Sequence, residues 1–340
     1  MFFYCTDIIS IDLSNFDTSS AIDMRYIRYG CFSLISLDLS NFNTSSVTNI
    51  YSMLNGCSSL ISLDLSNSYL KYFYFLDSCK SSLISINLSN SYSSIKASME
   101  NLFSNYASLI SVNILNFYSP NYTNVKNMFY NCKSLISVDF SNFNTSFIIS
   151  MENMFYGCSS LSSFNFSNYK ISIRDMSFMF YECSSLISIN LSSFDLSLVT
   201  NMESMFYKCN SLKFVDTSYL NTSSISKIDK MFYSCKSLKN INLSKFNTSL
   251  VKNMKKIFSG CSSLTSIDLS NINTSLVESI NKLFQGCSSL KYLNLSGFNV
   301  SLVNNFAAMF QNCKSLKYLD ISNFNMSNNI FYMEKMFYGT

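Results

Sequence analysis

Twelve cysteines mark out a repeat that runs the whole length of the chain. They fall at Cys5, Cys31, Cys57, Cys79, Cys132, Cys158, Cys183, Cys209, Cys235, Cys261, Cys287 and Cys313, and most steps between them are 26 residues. The one long step, from Cys79 to Cys132, spans two repeats whose shared cysteine position is held by Tyr106. A period near 26 belongs to repeats that stack as solenoids, each unit touching only its neighbours. One repeat array over residues 1–340, counting about 13 registers, is therefore expected in place of two separately folded domains.

Within a unit, counted from the cysteine, position +3 is Leu, +6 is aliphatic, +7 is Asp or Asn and +8 is mostly Leu; Leu34, Leu37, Asp38 and Leu39 are one example. Alternation at +6, +7 and +8 has the period of two that predicts a short strand with its aliphatic residues inward. A turn such as SNFNTSS at 40–46 follows, then Val199, Met202, Met205 and Phe206 at i, i+3, i+6 and i+7. That spacing predicts a helix, and Thr44, Ser45, Thr248 and Ser249 stand where N-caps would. The aromatic column at +11 (Phe16, Phe42, Phe143, Phe194, Phe246, Phe298, Phe324) is expected to form an internal spine. The expected fold is thus an α/β leucine-rich-repeat-like solenoid of about 13 coils of roughly 26 residues, with one short parallel strand plus one helix per coil. Residues 66–122, with a 22-residue unit and the single proline Pro120, are expected to be irregular, and both ends read as uncapped.

Composition narrows the function. With no His, neither a Ser-His-Asp nor a Cys-His pair nor a His zinc site can be assembled. Seven Gly and one Pro leave no Gly-rich phosphate loop and no Pro-rich linker. No window has the length of unbroken apolar sequence that a membrane span needs, and MFFYCTDIIS at the start lacks the regions of a signal peptide. The net charge of +4 is unevenly distributed. Residues 1–200 carry nine Lys and Arg against thirteen Asp and Glu, whereas residues 201–340 carry fifteen against seven. A catalytic site needs a few unlike groups in one place, and a repeat offers each residue many times, so no enzyme, cofactor or metal is expected.

The unit resembles the repeat of the BspA-like leucine-rich-repeat surface proteins, in the variant of about 25 residues found in mycoplasma-type lipoproteins: M-F-x-x-C-x-S-L-x-x-L-D-L-S-x-F-x-T-S-x-V-x-x-M. Residues 205–209 with 211–212, and residues 261–275, match it nearly letter for letter. The resemblance implies a surface-exposed or secreted adhesion or host-interaction protein without catalytic activity, acting on a protein or glycan partner. It implies no fixed ligand and no fixed binding residues. Proteins of that family usually carry an export signal or lipobox, and neither is seen in this sequence. An intracellular, cytoplasmic protein-protein interaction scaffold is the alternative.

Three sets of residues invite a functional reading. The +4 and +5 positions, Ile-Ser in many early units, become Lys213 and Phe214, Lys239, Lys291 and Tyr292, and Lys317 and Tyr318 in late ones. Exposed aromatic beside cation on a rigid ribbon is a surface partners use, and these seven residues are the candidate binding site, with no nucleic acid expected. The +7 carboxylates, such as Asp12, Asp38 and Asp64, invite cation binding, but Asn dilutes them elsewhere and solvated strand residues are expected. Open ends would also permit end-to-end self-association. Cysteines on adjacent coils point in parallel, which disfavours disulfides and predicts a ladder of reduced thiols. Titration of the denatured, unreduced chain should then recover all twelve thiols, and fewer than about ten would overturn the ladder.

Overall fold

The computed structural model describes residues 4–93, 99–118, 124–140, 148–165, 173–191, 194–216, 221–269, 271–325 and 332–340. Pro120 and Phe143 lie outside them. Three-residue strands recur at +5 to +7 along the chain, from Ser10–Asp12 through Ser163–Asn165 to Tyr318–Asp320. Neighbours pair in parallel with like columns in register, as Ser36, Leu37 and Asp38 do against Ser62, Leu63 and Asp64. The middle residue points inward, so Leu37 and Leu63 are buried. The molecule is a parallel β-solenoid.

The helix expected in each coil does not form. In the coil containing Cys209, Met202, Ser204, Phe206 and Lys208 donate their backbone N–H groups to Lys227, Asp229, Met231 and Tyr233 of the next coil, at 2.7–2.9 Å. The N–H groups between them close tight turns, Met205 to Met202, Tyr207 to Ser204 and Cys209 to Phe206. Ser204 and Lys208 accordingly sit at φ 55° and 56°, left-handed positions that an α-helix has no place for. The same pair of positions is left-handed at Asn127 and Asn131, Lys256 and Gly260, and Lys282 and Gly286. Successive turns four residues apart place apolar side chains inward at the spacing a helix would, which is why the sequence pattern misleads. Among the described residues the helical element is a single 3-10 segment, Tyr74–Cys79, inside the irregular region. No helix of the described residues is long and apolar enough to cross a membrane.

The threonines expected as N-caps, Thr44 and Thr248, do other work. They are buried, as is Thr274 in the equivalent position, and the three donate to the carbonyls of Tyr69, Asn273 and Asn299 one coil on. The corners are instead stapled by Asx turns, in which a side-chain oxygen accepts the N–H two residues later. In one coil Asn43 accepts from Ser45 at 2.9 Å, Asn49 from Tyr51 at 3.0 Å and Asp64 from Ser66 at 2.8 Å. The +7 column is Asp or Asn because it must supply this acceptor. Among the described residues no group of three or more His, Cys, Asp or Glu is placed to hold a metal ion.

The interior is built from columns. The continuous aromatic spine is the phenylalanine three residues before the cysteine, not the +11 column: Phe103, Phe129, Phe155, Phe180, Phe206, Phe232, Phe258, Phe284 and Phe310 stack in sequence at centroid distances of 5.4–6.1 Å. The +11 residues Phe42, Phe194, Phe246 and Phe298 are buried beside it, whereas Phe16 is exposed. All twelve cysteines are free thiols, and all but Cys5 are fully buried. Each of Cys132, Cys158 and Cys209 donates its Sγ–H to the carbonyl of the spine phenylalanine one coil back, at 3.0 Å. Where cysteine is replaced, the donor is kept: Tyr106 reaches the Leu76 carbonyl at 2.7 Å and Thr340 the Phe310 carbonyl at 2.8 Å. Burial pushes the Cys132 and Cys261 thiols up to about 12, so they are not nucleophiles at neutral pH.

Asp229 is the carboxyl the fold perturbs most. Burial, with Glu203 nearby, lifts it to about 6 against the partial offset of Lys230 and Lys255. A folded-state value above the unfolded one near 3.8 means that stability is greatest below pH 4 for this group and is lost as pH rises through about 6. Asp229→Asn should therefore raise the denaturation midpoint at pH 7 and flatten its change between pH 4 and 7, measured by urea unfolding. Phe206→Ala, which removes a ring stacked on both sides, should cost about 3–5 kcal/mol in the same measurement.

Candidate binding surface

Stacking coils at one pitch turns each sequence position into a line of side chains about 4.8 Å apart. Inward lines are consumed by the core, and the +7 line is consumed by the Asx turns. The +4 and +5 lines are left on the outer face of the strand ribbon, where the Ser162 and Thr265 hydroxyls donate to the Ile136 and Lys239 carbonyls one coil back and the larger side chains stand exposed. At +4 the backbone N–H of Lys213 is bonded to the Ile187 carbonyl and that of Lys317 to the Lys291 carbonyl, at 2.8 and 2.9 Å, so the main chain holds these two positions.

All seven residues singled out from sequence lie exposed on this face. Phe214 is 53%, Tyr292 64% and Tyr318 55% exposed, and Lys213, Lys239, Lys291 and Lys317 are exposed beside them. Tyr292 and Tyr318 are direct partners in the parallel register, and Lys291 and Lys317 precede them in the same order. These four form one compact patch. Lys213 and Phe214 stand three strands away, separated from it by Lys239 with Asn240 and by Thr265 with Ser266. The seven therefore share a line and do not converge on one point.

The same line holds an apolar stripe that sequence reasoning recorded only as an early Ile-Ser pattern. Ile9, Ile35, Ile61, Ile110, Ile136 and Ile187 at +4, with Ile84 one residue later in the short coil, are all 36–59% exposed, interrupted by Ser162. Isolated exposed isoleucines need no explanation, whereas a contiguous line of them is an exposed apolar stripe of the kind partners use. The ribbon thus changes character along its length, isoleucine with acidic neighbours first and lysine with aromatic neighbours later.

A second array lies on another side of the coil. Tyr130, Tyr156, Tyr181, Tyr207 and Tyr233, two residues before the cysteine, stack face to face at 4.3–4.7 Å and are half-buried. Burial and the neighbouring tyrosines push Tyr156 and Tyr181 up. Lys208 rests over Tyr207 at 5.5 Å and pairs with Glu182 at 2.7 Å, an exposed pair of small energetic weight. The recurring letters MFY before the cysteine carried this signal, but the phrase reads first as core. Tyr69, Tyr92 and Tyr118 make a shorter stack, at 5.1 and 5.3 Å, in the irregular region.

No curated protein matches the chain in sequence. Solved structures resemble it at low similarity. One is the Toll–Spatzle complex of Drosophila, 14% identical with a TM-score of 0.42 over 84% of this chain and 37% of that one. A leucine-rich cell surface protein of Faecalibacterium prausnitzii is 17% identical, TM-score 0.36, over 88% and 82%. An internalin of Listeria monocytogenes is 14% identical, TM-score 0.31, over 86% and 82%. This chain spans about two-fifths of the length of the Toll chain it resembles. A family described as "Mycoplasma protein of unknown function, DUF285" matches residues 1–72, 97–219, 211–292 and 258–340, and the chain belongs to it.

Proposed function

We propose that this member of the DUF285 family is a non-enzymatic binding protein that presents its strand ribbon to a protein or glycan partner, a partner of host origin included, at a cell surface. The single observation that carries the reading is the exposed +4 and +5 line, where Lys213, Phe214, Lys239, Lys291, Tyr292, Lys317 and Tyr318 stand free of structural duty on a rigid frame. Tyrosine and phenylalanine held by a strand offer large contact area at little entropic cost, and the adjacent lysines add steering toward acidic partners. The BspA-like resemblance of the repeat supports adhesion as the use of that surface. The absence of histidine and the repetition of every polar column support a binding role over catalysis.

An intracellular scaffold is the second reading, favoured by one observation: none of the twelve cysteines is joined in a disulfide. Protease treatment of intact cells separates the two, since a surface protein is cleaved and an internal one is spared.

The binding reading is tested by screening the full chain against immobilised extracellular-matrix proteins and glycans, alongside a variant carrying Lys291→Ser, Tyr292→Ser, Lys317→Ser and Tyr318→Ser. All four sites are exposed, so folding should be unchanged. Binding should weaken by about tenfold or more. Retention of the parent's binding by the variant would reject this patch.

A further inference from the structure

A charged line of a different kind lies on the arc that precedes the cysteine, away from the strand ribbon. The residue five before the cysteine position is left-handed in successive coils from Asn101 to Lys335. Asn101, Asn127 and Asn153 hold it in three of them, and asparagine suits that backbone. In three later coils in a row it is Lys230, Lys256 and Lys282, at φ 56–57°, where lysine is strained. Each of these lysines gives its backbone N–H to a carbonyl of the next coil, at 2.9–3.0 Å, so they form a line with a pitch of about 4.8 Å.

Lys227, Lys252 and Lys255 stand on the same arc. Three carboxylates share it: Glu203 reaches Lys230 at 3.7 Å, Glu278 reaches Lys252 at 4.0 Å, and the buried Asp229 lies near Lys230 and Lys255. Among the described residues Lys256 and Lys282 have no ion pair. Burial, and then the charges of Lys282, Lys255 and Lys230, pull the Lys256 ammonium down. The column thus combines backbone strain with like-charge repulsion, and asparagine would relieve both. Residues held at such a cost gather where function requires them, and an anion laid along the line would offset the repulsion.

The surroundings specify the anion. Charges set in a row match a linear polymer. Across residues 226–234, 252–260 and 278–286 no large apolar side chain is exposed, whereas a protein interface or a bilayer would use some. The nearby rings of Tyr207 and Tyr233 are stacked on each other at 4.5 Å, not open as a platform for nucleobases. Beside the lysines, two residues before the cysteine, Ser259 donates to the Gln285 amide and Gln285 to the Gln311 amide. Hydroxyl and half-buried amide groups of this kind suit sugar hydroxyls.

We infer that Lys230, Lys256 and Lys282 form a binding line for a sulfated glycan, whose fixed negative charges meet the lysines while its hydroxyls meet the adjoining amides. This goes beyond the proposed function, since the line lies on another arc of the coil and does not depend on the strand ribbon.

The test uses the full chain, with heparin as the probe, in calorimetry at several salt concentrations. Lys256→Asn with Lys282→Asn removes the two lysines that lack an ion pair and installs the residue that other coils carry there. Heparin affinity should fall about tenfold, and the slope of log Kd against log salt should fall by about one. The same double variant should unfold at a higher urea concentration than the parent, which also shows that it is folded. Lys133→Asn with Lys314→Asn removes the same charge from exposed sites elsewhere and should bind heparin as the parent does. No heparin binding by the parent, an equal loss in the two double variants, unchanged affinity in the Lys256 and Lys282 variant, or no gain in its stability would each overturn the inference. Tighter binding of the parent to a single-stranded oligonucleotide or to poly-glutamate of matched charge would do so too.

Discussion

The transfer of backbone hydrogen bonds from each coil to the next is the interaction on which the rest of this structure depends. It is not confined to the three-residue strands. In the segment before each cysteine, alternate N–H groups also cross to the neighbouring coil, as from Phe206 to Met231 and from Phe232 to Ile257. A buried N–H must be paired, and a chain that pairs half of them with its neighbour cannot also pair them along a helix. The alternating pattern forces the left-handed positions, which is why lysine, serine and asparagine tolerate φ near 55° there at a cost that glycine would avoid. Gly56, at φ 83° and with its Cβ position only 3.0 Å from the backbone of Gly30, marks a place where an added side chain would crowd the neighbouring coil.

Fixing like residues one coil apart then determines the interior. Phenylalanines brought to a common pitch have no arrangement open to them but a stack, and Phe155, Phe180 and Phe206 lie within 3° of parallel. The carbonyl of each spine residue already accepts one turn hydrogen bond and takes a second from a small buried donor. Cysteine satisfies both demands, being compact, apolar and able to donate weakly. Tyr106 and Thr340 show that the hydrogen bond is the conserved quantity at this position within the chain, across three chemically different side chains. Stability in such an array accumulates by nearest-neighbour contacts, so damage is local and its cost does not depend on distant coils.

Much of this was legible in the letters. The period, the strand position, the buried cysteine ladder and the buried Leu, Met and Phe columns followed from spacing alone, because burial is written in residue type. The helix was not, since Val199, Met202, Met205 and Phe206 have the same apolar spacing in a run of turns as in a helix, and only Ser204 and Lys208 at positive φ tell them apart. Neither residue type announces that conformation. The Asx corners were visible as an unbroken column of Asp or Asn, yet that column reads equally as solvated surface until an N–H is found 2.8 Å away. On the candidate surface, Lys291, Tyr292, Lys317 and Tyr318 were found from sequence because they break a pattern. The isoleucine stripe was passed over because it constitutes one.

The short coil between Cys57 and Cys79 shows how the ribbon responds to a change in length. Ser62, Leu63 and Asp64 pair with Ser85, Ile86 and Asn87 in the same register as everywhere else, although fewer residues connect them than in a standard coil. The shortening is absorbed away from the strands, in the stretch that includes Tyr74–Cys79. Insertions and deletions in the connecting arcs can therefore accumulate over generations while the exposed line keeps its rhythm. The ribbon behaves as a ruler whose marks stay fixed when the material between them is trimmed.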